Sequence, residues 1–175
     1  MAFADPTKIL SAFGLEPGMH VADFGAGTGF YTAAVSDMVG ENGVVYAIEI
    51  QQELLTKARS MIGNDHSNVE FLLGDLEAKS GSQLAAGSVD AVILSNVLFQ
   101  CEDKEAAIRE AARVLKPRGR ILCIDWADSY GGLGPQPEHI VPADKAKEMF
   151  AQAGLVFDRD IEAGDHHWGV VLHKK

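Results

Sequence analysis

The run Val21–Gly29 constrains the fold more than any other feature of the chain. It is typical of a short apolar strand that ends near an acid, Asp23, and enters a turn with glycine at positions 25, 27 and 29. Glycine has no Cβ and adopts positive φ readily, so a ligand can approach the backbone of such a turn closely. In an α/β sheet, ligands bind at the carboxyl edge, where this turn lies. The run therefore predicts an α/β fold with a site for a nucleotide-like ligand.

Segments with strand and helix patterns alternate along the rest of the chain. Strands are predicted at residues 19–24, 44–48, 69–73, 89–94, 120–126, 155–162 and 168–173, and helices at 6–13, 29–38, 51–62, 103–115 and 142–153. Repeated strand–helix units imply a parallel sheet with helices on both faces. The last two strands have only a short connection and must be antiparallel. We predict an α/β, doubly wound, mostly parallel seven-stranded sheet with a C-terminal antiparallel hairpin, in a single domain spanning residues 1–175.

Charge and composition argue against several classes of partner. The formal net charge of −10 over 175 residues disfavours nucleic acid and anionic membranes, which select basic surfaces. No apolar stretch reaches the roughly 18 residues that span a bilayer, and the first six residues lack a signal-peptide pattern. The two cysteines, Cys101 and Cys123, have no metal-ligand spacing. We expect no nucleic-acid partner, no membrane span, no metal, and the cytoplasm as the compartment.

The spacing inside the glycine turn bears on the type of ligand. A dinucleotide fingerprint needs a third glycine three residues after the second, and here Phe30 holds that position after Gly27. A pyrophosphate also disfavours a neighbouring acid such as Asp23, whereas a ligand with a positive amino or sulfonium group suits it. Glu49 ends the second predicted strand, where a carboxylate takes ribose hydroxyls in nucleotide-binding folds.

Two further strand ends offer polar groups to the same edge. Asp75 ends the third predicted strand and can accept a hydrogen bond from an exocyclic amine. Ser95 and Asn96 end the fourth, although such residues are equally typical of a turn cap, and both interpretations stay open. Four successive strand ends therefore point polar side chains at one crevice.

The chain resembles the class I S-adenosylmethionine-dependent methyltransferases over nearly all of its length. Val21–Gly29 is similar to the first motif of that family, Gly74–Leu76 to its adenine-side motif, Ser95–Leu98 to the segment after strand four, and Arg113–Leu122 to its late motif. Within the class, the chain is similar to the small ubiquinone/menaquinone-biosynthesis-like enzymes. The resemblance implies a Rossmann-like fold, S-adenosyl-L-methionine as cofactor, and methyl transfer to an unidentified small-molecule acceptor.

Strand ends and resemblance together give a set of cofactor-binding candidates. They are Asp23, Gly25, Ala26, Gly27, Tyr31, Glu49, Ile50, Gly74, Asp75, Leu76, Ser95 and Asn96. Some family members bind Mg²⁺ through acids after strands four and five. Asn96 and a lone Asp125 depart from that pattern, in line with the expectation of no metal.

Candidates for the acceptor side lie after the fifth strand and in the C-terminal hairpin. His166 and His167 are the candidate catalytic residues, because histidine can remove a proton near neutral pH. Asp125, Trp126 and His139 are candidate substrate contacts. A polar hairpin tip for the histidines, a turn cap for Asp125 and a core position for Trp126 are the alternative interpretations.

Two other functions stay open from the sequence. A non-catalytic cofactor-binding or scaffolding module is the first, because the chain has almost no insertion to close over a substrate. A nicotinamide-dependent oxidoreductase is the second. Residues 127–141, rich in glycine and proline, are predicted to be the most mobile segment and to act as a lid; a partner subunit in a homodimer could cover the cleft instead.

Overall fold

Helices and strands alternate along the computed structural model, which describes residues 5–130, 132 and 134–175. The helices are α1 (Pro6–Phe13), α2 (Phe30–Val39), α3 (Gln52–Ile62), α4 (Lys104–Val114) and α5 (Ala143–Gln152). The strands are β1 (His20–Phe24), β2 (Val44–Glu49), β3 (Val69–Leu73), β4 (Val89–Ser95), β5 (Leu115–Trp126), β6 (Leu155–Ile161) and β7 (His167–Lys174). Two single 3₁₀ turns span Leu98–Gln100 and Pro137–His139.

All seven strands belong to one sheet, in the order β3-β2-β1-β4-β5-β7-β6. The pairs from β3 to β5 are parallel, and β7 pairs antiparallel with both β5 and β6. The predicted doubly wound, Rossmann-like sheet with a C-terminal antiparallel hairpin is confirmed. The strand order reverses between β1 and β4, so a crevice opens at the carboxyl ends of these strands.

Side chains of the central strands point alternately to the two faces of the sheet and form one apolar layer on each face. On β4, Val92 and Leu94 face the layer that contains α4 and α5, whereas Ala91 and Ile93 face the layer that contains α1 and α2. Successive side chains of a strand point to opposite faces, so a nearly continuous apolar run is what a strand covered on both sides needs. The packed helices on both faces hold the carboxyl edge of the sheet in place.

The main departure from the predicted elements is the start of β5. This strand begins at Leu115, directly after α4, and not at Arg120. Leu115 pairs with Val89, and the register then shifts before Arg120 pairs with Ala91. The intervening residues 116–119 form a bulge, because proline 117 has no N–H to donate to the sheet. The strand predicted at residues 120–126 therefore begins five residues too late, and the residues before it belong to the same strand.

Among the described residues, no helix has the length and apolar character that crossing a bilayer requires.

Candidate active site

The glycine turn after β1 packs against the protein on one side and faces open space on the other. Gly25 and Gly27 have φ values of +75° and +56°. A Cβ on Gly25 would lie 2.5 Å from Cγ2 of Val97, whereas a Cβ on Gly27 would meet no atom of the described residues within 4 Å. Gly25 thus allows the turn to pack on the segment after β4, and Gly27 leaves room for a ligand to approach the backbone.

The backbone amides of this turn are bonded to the end of β2. The N–H groups of Gly25 and Ala26 both donate to the Ile48 carbonyl oxygen, at 2.9 and 3.0 Å. The Gly27 N–H donates to Oε2 of Glu49 at 2.9 Å. A phosphate-binding loop instead points its free amides at the ligand. This arrangement favours a ligand that is held by side chains and not by a ring of backbone N–H groups.

Glu49 links the glycine turn to the start of α3. Its carboxylate is buried, and its second oxygen, Oε1, accepts from the Gln51 N–H at 2.9 Å. Each oxygen therefore accepts one hydrogen bond and keeps acceptor capacity for one more. The side chain is fixed in orientation yet can still accept hydrogen bonds from ligand hydroxyls.

Asp23 is buried at the end of β1, with 2% of its surface exposed. Burial raises the pKa of Asp23 to about 6; the nearby Glu49 carboxylate adds to the rise, and a hydrogen bond from Thr32 lowers it. The Thr32 hydroxyl donates to Oδ2 of Asp23 at 2.6 Å. Thr32 was not predicted from the sequence, although its hydroxyl in the first turn of α2, seven residues after Gly25, is a signal that could have indicated it.

Tyr31 lies beside Asp23 in the lining of the crevice. Burial raises the pKa of Tyr31 to about 12, and the Asp23 charge adds to the rise while the Ser95 side chain opposes it. Tyr31 is therefore a neutral phenol at physiological pH, able to donate as well as accept a hydrogen bond.

Hydrogen bonds to Asp75 and Glu77 hold the segment after β3, at the other end of the crevice. Oδ1 of Asp75 accepts from the Glu77 N–H at 2.9 Å. The Glu77 carboxylate accepts from the N–H groups of Glu102 and Asp103, at 3.2 and 2.6 Å. Glu77 thereby ties the segment after β3 to the start of α4. Its role depends on a contact between residues 25 positions apart, and nothing in the local sequence indicates it.

These side chains line one cavity of about 520 Å³ at the carboxyl edge. All twelve residues that the sequence analysis proposed for the cofactor lie in its lining. The remaining lining residues are Phe30, Ile48, Gln51, Leu54, Glu77, Val97, Gln100 and Cys101. Among the described residues, the lining includes four carboxylates and no lysine, arginine or histidine. The cavity is therefore suited to a ligand with positive charge.

Three acceptor-side candidates, Trp126, His166 and His167, form a separate group with Asp128 and Tyr130 at the carboxyl end of β5. The rings of Trp126 and His167 lie 4.2 Å apart, and the His166 ring stacks on Tyr130 at 4.3 Å. Nδ1 of His166 lies 2.8 Å from Oδ1 of Asp128. Burial, with the neighbouring His166, lowers the pKa of His167. None of the five residues of this group lines the cavity.

Asp125 and His139 have different surroundings. Asp125 is fully buried, and its carboxylate accepts from the N–H groups of Phe99 and Trp126, at 3.2 and 2.8 Å. Burial raises the pKa of Asp125 to about 6, and these N–H groups oppose the rise. His139 ends the exposed turn Pro137–His139. Asp125 thus fixes the segment after β4 to the end of β5, and neither residue lines the cavity.

The predicted lid, residues 127–141, packs away from the cavity where the structure describes it. Residues 131 and 133 lie outside the described residues. A Cβ on Gly134 would lie 2.7 Å from the Trp126 ring, and Val141 accepts a hydrogen bond from Nε1 of Trp168 at 2.9 Å. The described part of this segment contributes nothing to the cavity lining, which counts against a lid; its mobility stays a prediction.

Within residues 5–130, 132 and 134–175, no group of three or more histidine, cysteine, aspartate or glutamate side chains is arranged to hold a metal ion.

Comparisons with known proteins point to one family. The family described as "Methyltransferase domain" matches residues 15–162. The ubiquinone/menaquinone biosynthesis C-methyltransferase of Klebsiella pneumoniae is 35% identical over 116 residues, which cover 65% of this chain and 45% of that protein. An arsenite methyltransferase of Halobacterium salinarum is 34% identical over 112 residues, covering 63% of this chain and 28% of that protein. The chain thus spans less than half the length of these curated relatives.

Solved structures extend the similarity to the whole fold. A SAM-dependent methyltransferase from Aquifex aeolicus superposes with a TM-score of 0.89 at 32% identity, covering 98% of this chain and 90% of the other. The cyclase SpnF shares the fold, with a TM-score of 0.81 at 17% identity over 96% of this chain and 79% of its own.

Proposed function

The chain belongs to the class I S-adenosylmethionine-dependent methyltransferases, and on this premise we propose that it transfers a methyl group from S-adenosylmethionine to a small-molecule acceptor. The observation that carries the proposal is the shared cavity. Residues from four strand ends, chosen from the sequence for binding this cofactor, line one acidic crevice at the switch point of the sheet.

The cavity fits the cofactor in size and in chemistry. A volume of about 520 Å³ lies in the range of small-molecule sites. We propose that Glu49 accepts from the ribose hydroxyls, Asp75 from the exocyclic amine of adenine, and Asp23 from the cationic amino group. When bound, the cofactor supplies a methyl group on a positively charged sulfur, which is already activated for displacement. The protein must then mainly position the acceptor and exclude water.

The backbone hydrogen bonds of the glycine turn argue against a nicotinamide-dependent oxidoreductase. A pyrophosphate needs free backbone N–H groups, and those of Gly25, Ala26 and Gly27 donate to β2. A non-catalytic cofactor-binding module remains the second candidate, because a fold by itself does not fix an activity.

We propose that the acceptor approaches from the carboxyl end of β5. His167, whose pKa is lowered, is neutral at neutral pH and can accept a proton. His166 lies next to it, and we propose the pair as the catalytic base if the acceptor arrives protonated. Trp126 and His139 are proposed to contact the acceptor, and Asp125 to contribute by fixing the segment beside it.

Replacing the histidines tests this assignment. His167→Ala is expected to lower kcat at least tenfold while the cofactor Kd stays unchanged, because neither histidine lines the cavity. His173→Ala is the matched control, since His173 lies on the same strand, β7, but at the opposite end. Equal kcat values for the two variants would rule out a base at this position.

Formation of S-adenosylhomocysteine tests the methyl transfer itself. The purified chain is incubated with S-adenosylmethionine and pools of small phenols, quinols, amines and thiols, and the product is quantified by mass spectrometry. We expect turnover with one pool, abolished in Glu49→Ala. If cofactor binds and no pool is methylated, the non-catalytic module becomes the better account.

Three further proposals concern the extent of the domain, the oligomeric state, and the compartment and partners of the protein. We propose that residues 1–175 act as one domain, because all seven strands share one sheet. We propose a homodimer in which the partner covers the cavity mouth, where Phe30 and Ile50 are 68% and 59% exposed; light scattering on the purified chain tests this. We also propose that the protein works in the cytoplasm on small molecules and does not bind nucleic acid, as its charge of −10 favours.

A further inference from the structure

A fully buried hydroxyl lies against the acid at the end of β1. Thr32, on α2, has no exposed surface, and Asp23 is 2% exposed. The Thr32 hydroxyl donates to Oδ2 of Asp23 at 2.6 Å, in the range of a hydroxyl bonded to an ionised carboxylate. The bond joins a helix to a strand across nine residues of chain, so it forms only when α2 has docked on β1.

The direction of this hydrogen bond is unusual for a threonine in a helix. A helical threonine commonly donates back to the carbonyl oxygen four residues earlier, whereas Thr32 donates outward to Asp23. Its branched Cβ leaves few rotamers, so the hydroxyl position is well defined. Asp23 lines the cavity, and Thr32 does not. The Thr32 hydroxyl therefore contacts the Asp23 carboxylate from the side that faces away from the cavity.

We infer that Thr32 is a positioning residue for cofactor recognition, holding the Asp23 carboxylate ionised and oriented toward the cationic amino group of S-adenosylmethionine. This inference rests on the proposed function. Asp23 is surrounded by groups that disfavour its charge, namely the apolar interior and the Glu49 carboxylate from β2, while Tyr31 on α2 is neutral. Against these, the Thr32 hydrogen bond lowers the pKa of Asp23.

Ligands with and without the amino acid part separate this role from a general loss of structure. Thr32→Val keeps the shape and removes the hydroxyl. Its affinity for S-adenosylmethionine at pH 6 should fall about fivefold, because an Asp23 pKa about one unit higher leaves far fewer carboxylates ionised. Its affinity for 5′-methylthioadenosine, which lacks the amino acid part, should stay unchanged. Thr32→Ser, which restores a hydroxyl, should recover most of the loss.

Ser36 offers a matched control on the same helix. It is 3% exposed, one turn after Thr32, and its hydroxyl contacts His66 and Asn68 and not the cavity. Ser36→Ala should therefore lower stability while both ligands bind as in the unaltered protein. If Thr32→Val does not fold, Thr32→Ala removes the same hydroxyl with a smaller side chain.

The pH dependence of binding gives a readout that a merely structural role would not change. In the unaltered protein, affinity for S-adenosylmethionine should be constant above about pH 6 and fall below it as Asp23 takes up a proton. In Thr32→Val the fall should begin about one pH unit higher, since the hydrogen bond that lowers the pKa is gone. Binding of 5′-methylthioadenosine should show neither feature.

The possible results separate the role of Thr32 from the proposed function on which it rests. Unchanged affinity and an unchanged pH profile in Thr32→Val would overturn the role of Thr32. Parallel pH profiles for the two ligands in the unaltered protein would overturn the role of Asp23, even if no Thr32 variant folds. Failure of the unaltered protein to bind either ligand would instead overturn the proposed function.

Discussion

Substituting alanine at Gly27 should abolish cofactor binding at a small cost in stability. Gly27 has a φ of +56°, and within the part of the chain that the structure describes a Cβ there would meet no atom within 4 Å. Left-handed backbone costs a non-glycine residue about 1–2 kcal/mol, and the reduced freedom of the unfolded chain offsets about 0.4–1 kcal/mol of that. The net loss is about 1 kcal/mol, or a fall of about 2–4 °C in Tm for a chain of this size.

Gly154 provides a control with the same local properties. Its φ is +82°, and a Cβ there would also meet none of the described atoms within 4 Å. It lies after α5, outside the cavity lining. Differential scanning fluorimetry should give Gly27→Ala and Gly154→Ala similar Tm values. Calorimetry should show S-adenosylhomocysteine binding to Gly154→Ala but at least a hundredfold more weakly to Gly27→Ala, whose methyl group fills ligand space. Equal affinities would refute the idea that the ligand approaches the backbone at Gly27.

Three further substitution effects follow from packing and charge. Gly25→Ala should lower Tm more than Gly27→Ala, because its Cβ would lie 2.5 Å from a neighbouring side chain; equal Tm values would contradict this. Glu110→Ala should lower the free energy of unfolding in urea by about 2 kcal/mol, since the buried Glu110 carboxylate pairs with Arg113 at 2.7 Å. Glu105→Ala, which removes an exposed ion pair with Arg109, should lower it by less than about 0.5 kcal/mol. The pKa of Glu110 is lowered, so its contribution is complete above the unfolded pKa of about 4.3 and is lost as pH falls through the lower folded value. The free energy of unfolding should therefore decrease less between pH 7 and pH 3 in Glu110→Ala than in the unaltered protein.

The parts of the site that could be predicted from sequence are those set by local pattern. The run Val21–Gly29 contains its own strand, acid and turn, and Glu49 and Asp75 follow from where parallel strands end. Because those ends meet at one edge, their proximity follows from topology alone.

The parts that could not be predicted depend on how elements dock. Thr32 reaches Asp23 only through the packing of α2 on β1, and Glu77 reaches the start of α4 across 25 residues. The bulge after Leu115 arises from register between two strands, which a single segment does not encode. The hairpin histidines were placed at the correct edge, but their partners, such as Asp128, depend on the fold of the following segment.

Calorimetric titration of the purified chain with S-adenosylmethionine, with NADH as the comparison ligand, tests the central claim most directly. The account predicts one S-adenosylmethionine bound per chain, loss of that binding in Glu49→Ala, and no heat with NADH. Binding of NADH without binding of S-adenosylmethionine would contradict it.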